Sequence, residues 1–297
     1  MIPFPKITGH THLVSMIGSP VSHSVSPATH TLAYQKMGID SVFLVFDVGV
    51  DDLEKVMAAF RVMDGWDSTT VTMPCKQAII PYLDGLSPAA ELAGAVNVVK
   101  KEEDGRVVGY NSDGEGFMNN LIKNGVEVEG ATMTLVGPGG AGSAILSQAA
   151  LDGVAKINVF AREGGSSFRS AFSLKDRVEN ATSCKVAIYP LEDIQQLKKS
   201  IDESDILANC TNVGMGEGNT ETPVMPELIK EGMVVADAIN TPRETQLIKD
   251  AKEKNCRVFG GLGMNDQQAI VADRIRYGVE IPIEEIRFEL DQEKLAK

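Results

Sequence analysis

Three features of the sequence predict an α/β fold in two domains. The chain has 297 residues, more than a single core of about 100 to 200 residues usually holds. From Thr132 onward, short β-branched runs alternate regularly with helical stretches, the order of a parallel sheet covered by helices. Directly after the first of those runs stands VGPGGAGSAI, in which Gly137, Gly139 and Gly142 form G-x-G-x-x-G at the opening of a helix. The expected division is a first α/β domain over residues 1–113, joined by C-terminal helices over 265–297, and a Rossmann-like, doubly wound domain over 114–264.

In the first domain the apolar runs 13–17 and 42–48 read as strands around a helix over 27–37. A helix over 51–60 and a strand over 69–72 follow, then a helix over 77–83 with Pro74 ahead of it. Ser87-Pro88 supplies a cap and a first-turn proline for another helix, and 95–99 pairs with 106–110 as a hairpin about Asp104-Gly105. Ser112-x-x-Glu115 spells a capping box before the helical spacing of Phe117, Met118, Leu121 and Ile122, which Asn124-Gly125 ends. In the second domain strands are expected at 132–136, 157–160, 185–188, 206–209, 234–236 and 257–259, six in all as a doubly wound sheet requires. The stretch 214–226 reads as a loop at a strand's carboxyl end, where such sheets bind ligands, and 283–297 has charged helical spacing.

Lysine and arginine number 28 against 41 aspartates and glutamates, a net charge of -13, which argues against nucleic acid and anionic membranes as partners. A small anionic ligand would need locally arranged cations or hydroxyls. Cys75, Cys184, Cys210 and Cys256 fit neither a disulfide framework nor a metal-ligand spacing. With no apolar run of membrane-spanning length and no signal sequence, this usage favours a reducing cytoplasm. The four histidines, His10, His12, His23 and His30, lack the further ligands of a zinc site. An EF-hand register from Asn111 fails because its twelfth position is Ile122, not a glutamate.

Two polar turns, TTVTMPCK at 69–76 and GYNSDGEG at 109–116, hold the candidate chemistry, Lys76 and Asp113. Taken singly, Asp113 fits a helix cap better than a catalyst. Lys76 stands near a helix start, where a cation faces the positive end of the dipole, against ordinary surface electrostatics. The glycine turn (Gly137, Pro138, Gly139, Gly140, Ala141) lets backbone amides approach a pyrophosphate. At the end of the next strand stand Arg162, which suits the 2′-phosphate of NADP, and Glu163, which suits the free 2′-hydroxyl of NAD. Either can also be an ordinary surface charge; the balance tips slightly to NAD.

These motifs together resemble the shikimate dehydrogenase family, closest to its quinate/shikimate dehydrogenase branch. The likeness runs from about Val14 to Gly278 through GSPVSHSVSP, VTMPCKQ, GAVN, GYNSDGEGF, GPGGAGSAI, NCTNVGM and GLGMNDQQ, in the family's order. The resemblance implies a substrate cleft between the two domains and an NAD(P)-dependent oxidoreductase of the aromatic amino acid (chorismate) pathway. Its substrate would be shikimate or quinate, or both, interconverted with the 3-dehydro form by hydride transfer. It also implies that Ser24 and Ser26 bind the substrate carboxylate, that Thr72, Asn97 and Gln268 hold ring hydroxyls, and that Lys76 and Asp113 form the catalytic pair. Hydride removal from a secondary alcohol leaves a proton to take up, which a lysine can accept while an aspartate balances its charge. Singly, Ser24 and Ser26 also fit turn hydroxyls around Pro27. Cofactor contacts carry over to the glycine turn, Arg162, Glu163, Thr211, Asn212 and Gly261. The resemblance admits a homodimer.

The chain departs from the family pattern at several positions. Asn240 stands where a tyrosine is usual, Asn265-Asp266 where apolar residues are expected, and Val98, Ser112 and Ala161 replace two threonines and an asparagine. A related dehydrogenase for another hydroxy acid is the first alternative that these changes leave open. A non-catalytic dinucleotide-binding regulator is the second, and retention of both Lys76 and Asp113 speaks against it.

Overall fold

The computed structural model describes residues 5–295; residues 1–4 and 296–297, which the expected first domain includes, lie outside the described residues. Contacts divide the chain into two compact units, Met1–Ser112 with Ala269–Lys297, and Asp113–Gln268.

The first unit is built on a six-stranded mixed sheet. Its strands are β1 (His12–Gly18), β2 (Ser41–Asp47), β3 (Trp66–Val71), β4 (Gly85–Leu86), β5 (Val98–Lys101) and β6 (Val107–Tyr110), in the order β2-β1-β3-β5-β6-β4. The pairs β2-β1 and β1-β3 are parallel because α1 (Ser26–Met37) and α2 (Leu53–Val62) provide the crossovers. The expected hairpin is present as the antiparallel pair β5-β6. Ser87 caps α4 (Pro88–Ala93) by accepting from the Ala90 amide, and Gly94 closes it in a left-handed conformation. The helix expected over 77–83 is instead the four-residue α3 (Cys75–Ala78) and a separate 3-10 turn over Ile80–Tyr82. Pro81 sits inside that expected run, and without an N–H it cannot extend the helix.

Two cores flank this sheet. One gathers Leu53, Met57, Phe60 and Trp66, with Phe60 stacked on Trp66 at 4.8 Å. The other gathers Leu32, Tyr34 and Phe43 with Ile270 from α10 (Gly261–Tyr277), Ile283 and Ile286 from α11 (Ile283–Leu295), and Ile281 between the two helices.

The second unit opens with α5 (Asp113–Ile122) and continues as six strands: β7 (Thr132–Val136), β8 (Lys156–Ala161), β9 (Lys185–Pro190), β10 (Ile206–Asn209), β11 (Val234–Asp237) and β12 (Arg257–Phe259). All five strand pairs are parallel, in the order β12-β11-β10-β7-β8-β9. This is the doubly wound order, and its direction reverses between β7 and β10, where ligands bind in such sheets. The crossovers are α6 (Gly140–Leu151), α7 (Ser166–Ala181), α8 (Ile194–Glu203) and α9 (Gln246–Glu253). Among the described residues no helix is long and apolar enough to cross a membrane, and no cluster of three metal-ligating side chains occurs.

Candidate active site

In the first unit three of the expected site residues share one end of the sheet. Thr72 directly follows β3, and the Val71 amide donates to the Asn97 carbonyl at 2.8 Å. Lys76 lies on α3, and its carbonyl accepts from the Val96 amide at 2.8 Å, so the lysine turn is stitched to the segment that carries Asn97 into β5. Thr72 and Lys76 are half-buried and Asn97 is buried. The loop after β1 reaches the same place: the Ser19 amide donates to the Met73 carbonyl at 3.0 Å, and the Thr72 amide to the Ile17 carbonyl at 2.9 Å. Farther along that loop the Ser26 amide donates to Ser24 Oγ at 3.2 Å, a serine turn that leads into α1.

Asn97 is engaged with Ser112. Its Nδ2 donates to Ser112 Oγ at 2.9 Å, and its Oδ1 accepts from the Ser112 amide at 2.7 Å. The amide that a reciprocal capping box would give to Glu115 therefore has Asn97 as a partner. Helix α5 begins at Asp113, so Ser112 stands at the preceding cap position and Asp113 occupies the first helical turn.

In the second unit Asp113 is only 4 % exposed, and its Oδ1 accepts from Gln268 Nε2 at 2.5 Å. The glycine in NSDGEGF makes this approach possible: a Cβ at Gly116 would lie 2.7 Å from the Gln268 amide nitrogen. The sequence thus brings a candidate acid and a candidate substrate amide together across 155 residues.

The glycine turn follows β7 and opens α6. Gly137 has φ +90°, and a Cβ there would clash with Thr211 Cγ2 and lie 3.0 Å from the Thr211 amide. At Gly142 a Cβ would clash with the Gly137 carbonyl oxygen. Gly139 differs, since a Cβ there would meet nothing nearer than Ser167 Oγ at 4.0 Å. Helix α6 has no side-chain cap. Open space in front of uncapped helical amides fits a dinucleotide pyrophosphate. Arg162 and Glu163 follow β8 and are both exposed, as an adenosine ribose would require; the Glu163 amide donates to Glu192 Oε2 at 3.2 Å. The Arg169 guanidinium donates to the Gly164 carbonyl in the same turn.

Thr211 and Asn212 stand just beyond β10, and Gly261 begins α10. Behind them lies a buried polar group that sequence reasoning missed: Asn209, Asp237 and Thr245. Burial pushes the Asp237 carboxyl up, against the hydrogen bonds it accepts from Thr245, Ile239 and Asn209. An Asn and an Asp at the ends of adjacent parallel strands are the only sequence signal, and register pairs them. Asn240 is exposed, and Asn265 and Asp266 are half-buried, so Asp266 is not sealed in an apolar site.

Residues 16–99 match the model of the shikimate dehydrogenase substrate binding domain. Over 286 residues the chain is 41 % identical to a shikimate dehydrogenase (NADP(+)) of Listeria monocytogenes serotype 4b, covering 95 % of this chain and 96 % of that one. It is 39 % identical to a shikimate dehydrogenase (NADP(+)) of Streptococcus uberis, with 97 % and 99 % covered. A solved Listeria monocytogenes shikimate 5-dehydrogenase, crystallised with shikimate and NAD, superposes with a TM-score of 0.92 at 39 % identity over 97 % of this chain and 99 % of that one. The chain belongs to the shikimate dehydrogenase family.

Proposed function

We propose that the protein interconverts shikimate and its 3-keto form with a nicotinamide dinucleotide. A bound nicotinamide dinucleotide would supply the hydride chemistry between the alcohol and the ketone. The protein's part is to bind the acid, orient its hydroxyls and move one proton. Ser24 and Ser26 offer hydroxyls to the substrate carboxylate, and Thr72, Asn97 and Gln268 offer polar groups to the ring hydroxyls. Lys76 Nζ takes the hydroxyl proton during oxidation and returns it during reduction, while the Asp113 carboxylate balances the ammonium charge. The observation that carries this reading is the hydrogen bond from Gln268 to Asp113, which puts an amide donor beside a buried carboxylate at the head of α5.

We read NAD as somewhat preferred over NADP. Glu163 and the Glu192 carboxylate held at its amide set two negative charges at the ribose end, where Arg162 and Arg169 supply the cations that a 2′-phosphate would need. The relatives' NADP(+) names and the NAD in one solved relative support use of either form. Quinate is the second substrate to test, since Asn240 leaves an exposed amide where the family pattern has an aromatic hydroxyl. We also read a second copy of the chain as a partner, through the edge of β2.

The test follows absorbance of the reduced cofactor with shikimate and with quinate, against NAD and NADP. Turnover of shikimate is expected, with kcat/KM higher for NAD. No turnover with any combination would overturn the reading.

A further inference from the structure

At the carboxyl ends of β10 and β11, one carboxylate gathers three donors. Asp237 Oδ1 accepts from Asn209 Nδ2 and from the Ile239 amide, both at 3.0 Å, and Oδ2 accepts from Thr245 Oγ1 at 2.6 Å. Asp237 and Asn209 are each 1 % exposed and Thr245 2 %. Each donor leads outward to a position on the rim of the sheet. Asn209 Oδ1 accepts from the Thr211 amide at 2.9 Å and from Thr211 Oγ1 at 2.8 Å, and Thr211 Oγ1 in turn accepts from the Val213 amide at 3.1 Å. The Ile239 carbonyl accepts from the Gly261 amide at 3.2 Å, and a Cβ at Gly261 would lie 2.5 Å from that carbonyl. Thr245 caps α9 and so fixes the far end of the 238–245 segment. That segment is tied to the loop after Thr211 a second time, by the Gly216 amide donating to the Thr241 carbonyl at 2.9 Å.

Gly137, Thr211 and Gly261, three of the cofactor candidates, therefore meet through one buried acid. Thr211 touches the glycine turn, where any side chain at Gly137 would strike it. Thr211 is two hydrogen bonds from Asp237 through Asn209, and Gly261 is two from it through Ile239. A carboxylate is suited to this hub because it presents acceptors only, and all three groups that face it are donors. With each donor matched, the strand ends have one arrangement, and hydride transfer is steep in distance and alignment.

We propose that Asp237 is a positioning residue for hydride transfer, holding the Thr211 and Gly261 rims that seat the nicotinamide end of the cofactor. This rests on the dehydrogenase reading above. Asp237 touches neither substrate nor cofactor in this account and acts through Asn209, Ile239 and Thr245.

The test compares wild-type protein, Asp237→Ala, Asp237→Asn and Thr245→Val in shikimate oxidation, with shikimate deuterated at the reacting carbon as probe. In Asp237→Ala, kcat should fall at least tenfold and the deuterium effect on kcat should rise as the chemical step becomes limiting. The KM for shikimate and the affinity for ADP-ribose, which probes the adenosine end, should stay within about threefold of wild type. Asp237→Asn keeps an acceptor for Asn209 and Ile239 and can donate to the Thr245 oxygen, so it should recover most of kcat. If Asp237→Ala does not fold, Thr245→Val removes one of the three donors to Asp237, together with the weak α9 cap at 3.4 Å, and should shift kcat and the isotope effect in the same direction by a smaller factor. A kcat and an isotope effect equal to wild type in folded Asp237→Ala, or in Thr245→Val where that variant alone folds, would overturn the proposal. So would a variant that only lowers the unfolding midpoint. Wild-type protein without turnover would instead defeat the dehydrogenase reading itself.

Discussion

Lys76 and Asp113 are held in different ways. Asp113 is buried, starts α5 and receives Gln268, so its place is fixed on several sides. Lys76 is half-buried on a helix of four residues that is held to the sheet by its own carbonyl. A proton relay needs a lysine whose backbone is held in place. Lys76→Ala should therefore lower kcat by roughly a hundredfold or more, the usual scale of general acid-base catalysis, while cofactor affinity changes little. Stopped-flow turnover together with a cofactor titration checks this, and a mutant as fast as wild type would remove Lys76 from the chemistry. Both residues are visible in the sequence as polar positions in short turns. The link from Asn97 to Ser112 is not, because a carboxamide 15 residues away leaves no local pattern.

Among the elements, those of the second unit were the more legible. The expected strands 132–136, 206–209 and 257–259 coincide with β7, β10 and β12, because parallel strands covered on both faces are continuous β-branched runs between turns. The two-residue β4 has no such run, and Pro81 divides the helix expected near Lys76. Least legible is the buried polar cluster that joins α1, β3 and α10 within the first unit. His30 Nδ1 and Arg276 both bond Asp273 at 2.7 Å, Tyr34 donates to it at 2.9 Å, and Arg276 also reaches Ser68 at 3.2 Å. His30 and Asp273 lie 243 residues apart in the sequence. Burial alone would raise the Asp273 carboxyl, but His30 and Arg276 outweigh it and hold the carboxyl down at about 2. An unfolded aspartate titrates near 3.9, so this group's stabilisation is complete above that pH and lost as pH falls through about 2. The share is on the order of 2 kcal/mol. Urea unfolding between pH 5 and pH 2 should show a steeper acid loss in wild-type protein than in Asp273→Asn, which starts less stable; equal slopes would contradict this assignment.

For the whole molecule, the net charge of -13 gives no general attraction for an acidic ligand, so the proposed function leaves its binding to local hydroxyls, amides and Lys76. The sheet edges are unequal. Edge strand β9 carries Lys185 and Pro190, β12 has three residues and β4 two, all of which discourage pairing. Edge strand β2, SVFLVFD, is uncharged up to Asp47 and exposes Leu44 and Phe46. Sedimentation velocity should find a species of twice the 31.9 kDa chain mass, and Leu44→Lys should return it to the monomer with kcat retained. A monomeric wild type at tens of micromolar would remove this interface.

The most direct measurement of the central claim is the absorbance change of the nicotinamide when purified protein meets shikimate. Reduction of NAD, and more slowly of NADP, in proportion to shikimate consumed is the expected result. A protein that binds the dinucleotide and leaves shikimate and quinate unchanged would contradict it.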